Sequence, residues 1–274
     1  MNGTGYLERI LSSRDARDKR LKDNPQSWLA LIGLFHLQEG DNAFGADDSN
    51  KIIMARCRQA CCGSFHLENG KVSLIPFANS YITINNLPPD SRYLHTDHDE
   101  ETDMIQVGTL TMMILLRGQD FYLRVWDAES PEVKNFSGLK YFPIKPEYQI
   151  AAKFITYEPP KVIKIQDVIG SEYDGHLLGE AQFTLNGIAC VLVAEEDEDE
   201  LLFSFNDKTR EDLTYPGGRF LTAKKPESDQ VILDFNLALN WPCAYTVFAT
   251  CPLPPAENRL PVRIEAGEMR YKEH

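Results

Sequence analysis

From about residue 28 onward, apolar and polar residues alternate in short runs broken by turn residues, which is the period of half-buried β-strands. Residues 4–23 carry the one pattern of helical length. Tyr6, Ile10 and Leu21 mark an irregular apolar face among many charges, Thr4 or Gly5 stands where a cap belongs, and Asn24-Pro25 ends the segment. The spacing predicts a helix that packs on the body through a few residues. Between about 28 and 130 the runs WLALIGLFHL, NKIIM, GSFHLENGKVSLI, NSYITINNL and MIQVGTLTMMILLRGQDFYLRVWD read as strands, with Asn69-Gly70 and Arg117-Gly118 as hairpin turns. This half is expected to be a β-sandwich. From Tyr141 the β pattern resumes, and Gly170, Gly175, Gly179 and Gly187, taken as lying at strand ends, predict a strongly curved sheet or a barrel. The fold class is therefore mainly β, divided into an N-terminal helix (1–26), a sandwich (27–130) and a C-terminal β domain (131–274).

The polar side chains that could carry chemistry gather between Leu213 and Glu268. GRFLTA and QVILDFN flank the turn KKPESD, so a hairpin centred on Pro226 and Glu227 is expected. Counting outward sets Phe220 against Leu233, Thr222 against Val231, Leu221 against Ile232 and Arg219 against Asp234. That last pair reads either as a cross-strand ion pair or as a guanidinium fork presented to an anionic or carbonyl ligand and oriented by a carboxylate. No turn residue interrupts Ala244–Thr250, which predicts a strand. Its ends would stand roughly 26 Å apart, too far for Cys243 and Cys251 to bond, since a disulfide needs Cα atoms within about 7 Å. Either thiol is a nucleophile if its thiolate is stabilised, and otherwise a buried small hydrophobe. Pro252, Pro254 and Pro255 stiffen the chain before Glu257, Asn258 and Arg259, as a site wall or a covered sheet edge would require.

Charge narrows the partners. The 274 residues carry 28 Lys and Arg against 41 Asp and Glu, a formal net charge of −13. Such a surface repels phosphate backbones, so no nucleic-acid partner is expected. The opening MNGTGYLERI lacks an apolar targeting core, and no run approaches a membrane span, so neither secretion nor a membrane is expected. Six cysteines without a leader fit free thiols in a reducing cytoplasm. Cys57, Cys61, Cys62 and His66 fall close together, but C-x3-CC-x3-H is not a standard zinc spacing, and neither metal nor cofactor is expected. His95, Asp97, His98 and Asp99 read as a solvated polar loop. G-x-S-x-G, the phosphate-binding G-x-x-x-x-G-K-[ST] and H-E-x-x-H are all missing from the sequence.

Two resemblances follow from these motifs. WLALIGLFHLQEGDNAFGADDSNKI, YFP, GRF, LDFN, PCAY and CPLPPAENRLPVRIEAGE resemble, over nearly the whole chain, the domain-of-unknown-function family sixteen-eighty-four, which brings no established reaction. Trp241 stands where that family often has a second proline. Across about 37–125, the order EG-x-N-x-FG, D-x-SN-x-I and F-x-L-x-NG-x-V is similar to forkhead-associated phosphothreonine-binding (FHA) domains. The arginine by which that family binds its ligand would fall on Ala46 here, and its Ser and His loop is replaced by Cys61-Cys62-Gly63-Ser64. The resemblance therefore implies an FHA-like scaffold without phosphothreonine recognition.

Three readings of function stay open. The first is an enzyme working without a metal, or a small-molecule binder, with a pocket in the C-terminal domain for a small polar or anionic ligand. Arg219, Asp234 and Glu257 would be its catalytic candidates, and Tyr215, Asn236, Asn240, Cys243, Asn258 and Arg259 its ligand contacts. The second is a non-catalytic, FHA-like protein-interaction module. The third is a buried polar network that only fixes the C-terminal domain.

Overall fold

The structure is a computed structural model and describes residues 3–226 and 228–272. Two compact units are present, Arg20–Phe136 and a second made of Met1–Lys19 with Ser137–His274. The predicted helix forms as α1 (Gly3–Asp23). Tyr6, Ile10 and Leu21 are buried, as their spacing requires. No described helix is long and apolar enough to cross a membrane.

In the unit Arg20–Phe136 the strands are β1 (Leu31–His36), β2 (Gly40–Gly45), β3 (Ile52–Ile53), β4 (Gly63–Glu68), β5 (Lys71–Pro76), β6 (Thr83–Ile84), β7 (Ile105–Val107), β8 (Leu110–Arg117) and β9 (Asp120–Asp127). They form a five-stranded sheet ordered β1-β9-β8-β7-β6 and a four-stranded sheet ordered β3-β2-β4-β5. Phe44, Phe65 and Leu74 from the smaller sheet share one core with Met112, Ile114 and Leu123 from the larger, so this unit is a sandwich. Asn69 and Gly70 both take positive φ (52° and 70°) in the β4–β5 turn, the left-handed pair that a two-residue hairpin needs.

The second unit adds β10 (Gln149–Gln166), β11 (Glu172–Leu185), β12 (Ile188–Asp197), β13 (Glu200–Phe205), β14 (Arg219–Lys224), β15 (Gln230–Asp234) and β16 (Leu239–Asn240). They make a seven-stranded sheet ordered β15-β10-β11-β12-β13-β14-β16. The sheet is open and does not close into a barrel. Gly175 and Gly179 lie inside β11, not at its ends. A side chain at Gly179 would meet the Ile155 carbonyl and the Phe154 ring at 2.5 Å, beside a break in the β10–β11 register.

Two expectations about the C-terminal strands fail. β14 and β15 do not pair as a hairpin: Ile232 and Leu233 pair with Ala151 and Ile150 of β10, while Leu221 and Phe220 pair with Phe203 and Ser204 of β13. Apolar alternation makes a residue run a strand without choosing its neighbour, and each run pairs with a different strand. Glu227, at the expected turn centre, lies outside the described residues. The run Ala244–Thr250 is not a strand either. A 3-10 turn at Pro242–Ala244 reverses the chain there, and the Cys243 N–H donates to Cys251 Sγ at 3.2 Å. The predicted separation of those cysteines is overturned, because Pro242 at the first helical position favours a turn over an extended start.

Candidate functional site

Arg219 opens β14, between Phe205 of β13 and Asn240 of β16. Gly218 precedes it with φ of 103°, and a side chain there would press on the Phe205 carbonyl at 2.8 Å, so glycine sets the entry of this strand. The Arg219 guanidinium is 1% exposed and does not face Asp234. It donates to Asp207 Oδ2 at 2.7 Å and to the carbonyls of Ile264 (2.9 Å), Ala266 and Glu268 (3.3 Å). Its Nε is buried without a partner among the described residues. Asp207 is itself saturated, with Oδ1 accepting from the Thr209 N–H, the Thr209 hydroxyl and the Ile264 N–H. This ion pair stitches the segment before Met269 onto the sheet. Gly267, at φ of 77°, lets that segment pass within 2.5 Å of the Ala238 carbonyl as measured from the missing side-chain position.

Asp234 belongs to a second cluster, on α1. It accepts from the Tyr6 hydroxyl (3.0 Å) and from Arg9 (2.8 Å), and the Asn236 amide donates to Tyr6 Oη (2.9 Å). Burial and the bond to the Asp234 carboxylate push the Tyr6 phenol up to about 12, so it stays a donor at neutral pH. The expected Arg219–Asp234 pair is thus replaced by two separate ion pairs, Arg219–Asp207 and Arg9–Asp234.

Glu268, which the sequence reading did not single out, is fully buried. Its carboxylate takes bonds from Arg17 (3.0 Å), the Tyr245 hydroxyl (2.7 Å) and the Asn240 N–H (2.7 Å). Asp18 on the same helix accepts from Tyr141 at 3.1 Å, and Arg14 donates to the Phe142 carbonyl at 3.0 Å. The signal was available: residues 6, 10, 14, 17 and 21 fall on one helical stripe, so Arg14 and Arg17 sit where the apolar face continues.

The remaining candidates divide by exposure. Asn236 is buried and its Oδ1 accepts from the Lys145 N–H; Asn258 is buried and holds both polar groups of Val193 together with the Ser204 carbonyl. Asn240 donates to the Met269 carbonyl while its Oδ1 is buried without a partner among the described residues. Glu257 and Arg259 are exposed on either side of Asn258. Tyr215 is half-buried beside Cys243 and Cys251, and burial followed by those thiols pushes its phenol up to about 12. The Trp241 ring packs tilted against Phe220, with ring centroids 4.4 Å apart.

The sandwich unit contains a cavity of about 340 Å³ lined by Arg56, Arg58, Gln59, Cys62, Ser80 and Tyr81, with Val107 to Thr109 behind them. Arg56 is engaged with the Asp127 carboxylate and the Glu129 carbonyl. Arg58 is exposed and has no ion pair among the described residues. Gln59 donates to the Asn79 carbonyl while its Oε1 is buried without a partner among the described residues. The Ala46 N–H bonds the Gln59 carbonyl at 2.9 Å, so the loop carrying these cations lies against Ala46. His66 does not join the neighbouring cysteines; its Nδ1 lies 2.6 Å from Asp41 Oδ1.

A mainly β protein, with a polar lattice in one unit and a cation-lined cavity in the other, is the class that fold and geometry define. Residues 134–269 match the family described as "Protein of unknown function (DUF1684)", and the chain belongs to that family through this C-terminal half. The match is narrower than the near-whole-chain extent that the motifs suggested. An uncharacterised protein of Haloarcula marismortui, solved by solution NMR, is 31% identical, over 53% of this chain and 83% of that one, with a TM-score of 0.45. No curated protein matches the chain.

Proposed function

We propose that this chain is a binding protein for a small organic anion, that the cavity at Arg58 receives the ligand, and that the polar lattice around Arg219 holds the C-terminal unit together. The carrying observation is an exposed guanidinium with no ion pair among the described residues, next to a buried amide oxygen that lacks a donor, in a cavity of ligand size. Arg58 supplies the charge-assisted fork for a phosphate or carboxylate. Gln59 Oε1 asks for a hydroxyl or N–H on the same ligand, which a phosphate monoester provides as the P–OH of its monoanion, the form that predominates below about pH 6. Cys62, Val107 and the Tyr81 ring offer an apolar surface for the remainder. On a chain of net charge −13, such a local cationic spot is what an anion requires to bind at all.

The FHA-like resemblance bears on the same residues. With its arginine position held by Ala46, a displaced fork on the adjoining loop favours a free small anion over a phosphothreonine peptide. The C-terminal candidates are weaker as a ligand site, because the terminal nitrogens of Arg219 and the amides of Asn236 and Asn258 already donate to groups of the chain itself. Calorimetric titration with phenyl phosphate is the direct test. The full chain should bind it, with Arg58→Ala weakening binding about tenfold or more, the equivalent of roughly 1.4 kcal/mol. Equal affinity in both proteins, or no binding in either, would overturn the proposal.

A further inference from the structure

A second chemical feature sits in the same loop and stands whether or not the cavity takes an anion. Cys57 and Cys62 are both buried, and their sulfurs lie 3.2 Å apart. The loop between them is clamped in that geometry. The Cys57 N–H bonds the Met54 carbonyl (2.8 Å), the Cys62 N–H bonds the Phe44 carbonyl (2.8 Å), and the Asn50 amide holds the Ala60 carbonyl at 2.7 Å. Gly45 lets the loop lie close, since a side chain there would run into the Ala60 carbonyl. A disulfide needs the sulfurs at about 2.05 Å, so closure asks for a movement of about 1 Å within an already folded loop. Cys62, though fully buried, also lines the cavity, the side from which a small oxidant would approach it.

We infer that Cys57 and Cys62 form a peroxide-sensitive dithiol that closes reversibly into a disulfide beneath the Arg58 loop. In the first step the Cys62 thiol attacks hydrogen peroxide. The O–O bond breaks, one oxygen stays on sulfur as the sulfenic acid and the other leaves as water. The Cys57 thiol then attacks the Cys62 sulfur, the S–O bond breaks, the S–S bond forms, and the Cys57 proton leaves with the hydroxyl as a second water. Two thiols are oxidised and one peroxide is reduced. Burial, followed by the bond to Cys62, pushes the Cys57 thiol up to about 12, so closure should quicken as pH rises and the thiolate fraction grows.

The test uses the full chain. It is exposed to stoichiometric peroxide, unfolded, alkylated with iodoacetamide and cut with trypsin. Cleavage after Arg56 and Arg58 separates Cys57 from Cys62, so their bond appears as Cys57-Arg58 linked to the peptide Gln59–Lys71. The expected result is that linked pair, removed by dithiothreitol, with the six alkylatable thiols falling to four. It should persist in Cys61→Ser, which removes the exposed neighbour as a bonding partner. Cys57 fully alkylated after peroxide, whether Cys62 is untouched, over-oxidised or bonded to Cys61, would overturn the inference. So would loss of the linked pair in Cys61→Ser. Because the primary readout is the wild-type protein, poor folding of a Cys57 or Cys62 variant does not blunt the test.

Discussion

Arg219 is 1% exposed and surrounded by acceptors from its own chain, whereas Arg58 is exposed at a cavity and has no ion pair among the described residues. The same guanidinium does two kinds of work, and burial with partner count distinguishes them. A fully buried cation must be matched inside the fold, because leaving its charge unpaired there costs far more than the pair itself contributes. An exposed cation contributes little to stability and keeps its hydrogen-bonding capacity for a ligand. A polar cluster on a β scaffold is therefore not a site by composition alone. What matters is whether its donors are already satisfied.

The widest split between the two arginines should appear in stability. Arg219→Ala leaves Asp207 buried without its partner and frees the Ile264 and Ala266 carbonyls, so it should cost about 3–5 kcal/mol in denaturant unfolding. An unchanged unfolding midpoint would break the comparison at its stronger end. Tyr6→Phe removes one donor to Asp234 and the acceptor for Asn236, and should cost about 1–3 kcal/mol by the same measurement.

A smaller effect depends on pH. Burial raises the Glu195 carboxyl, and the Ser204 hydroxyl at 3.3 Å offsets only part of that. Its folded pKa lies above the unfolded one, so the folded state holds the proton longer. Wild-type stability should therefore fall as pH rises from about 4.3 through the folded pKa. Glu195→Gln should lose that fall, and its stability relative to wild type should grow between pH 4 and 7. Parallel curves would contradict the assignment. Smallest of all, Arg58→Ala should move stability by no more than about 0.5 kcal/mol, and a larger loss would mean that Arg58, too, is part of the framework.

Much of the architecture is legible in the residue pattern. Tyr6, Ile10 and Leu21 announce α1, Asn69-Gly70 announces its turn, and alternation marks most strands. Partner choice is not legible. GRFLTA and QVILDFN look like two arms of one hairpin because turn chemistry is local, yet the first pairs with the preceding strand β13 and the second with the distant β10. Asp207 lies twelve residues before Arg219, across a strand end that no alternation pattern specifies. Glu268 was passed over because its partners, Arg17 and Tyr245, are distant in sequence. The stretch Ala244–Thr250 lacked breakers, but Pro242 had already set a turn. The cavity comes from loops around Arg58, Ser80 and Gly108, and loop side chains carry no period from which convergence could be read.

The most direct test is a two-dimensional amide NMR titration of the full chain with phenyl phosphate. The account predicts saturable shifts at Arg58, Gln59, Ser80, Tyr81 and Gly108, with the amides of Arg219, Asp234 and Asn258 unmoved. Shifts centred on Arg219, Asn258 and Arg259 instead would contradict it and return the site to the C-terminal unit.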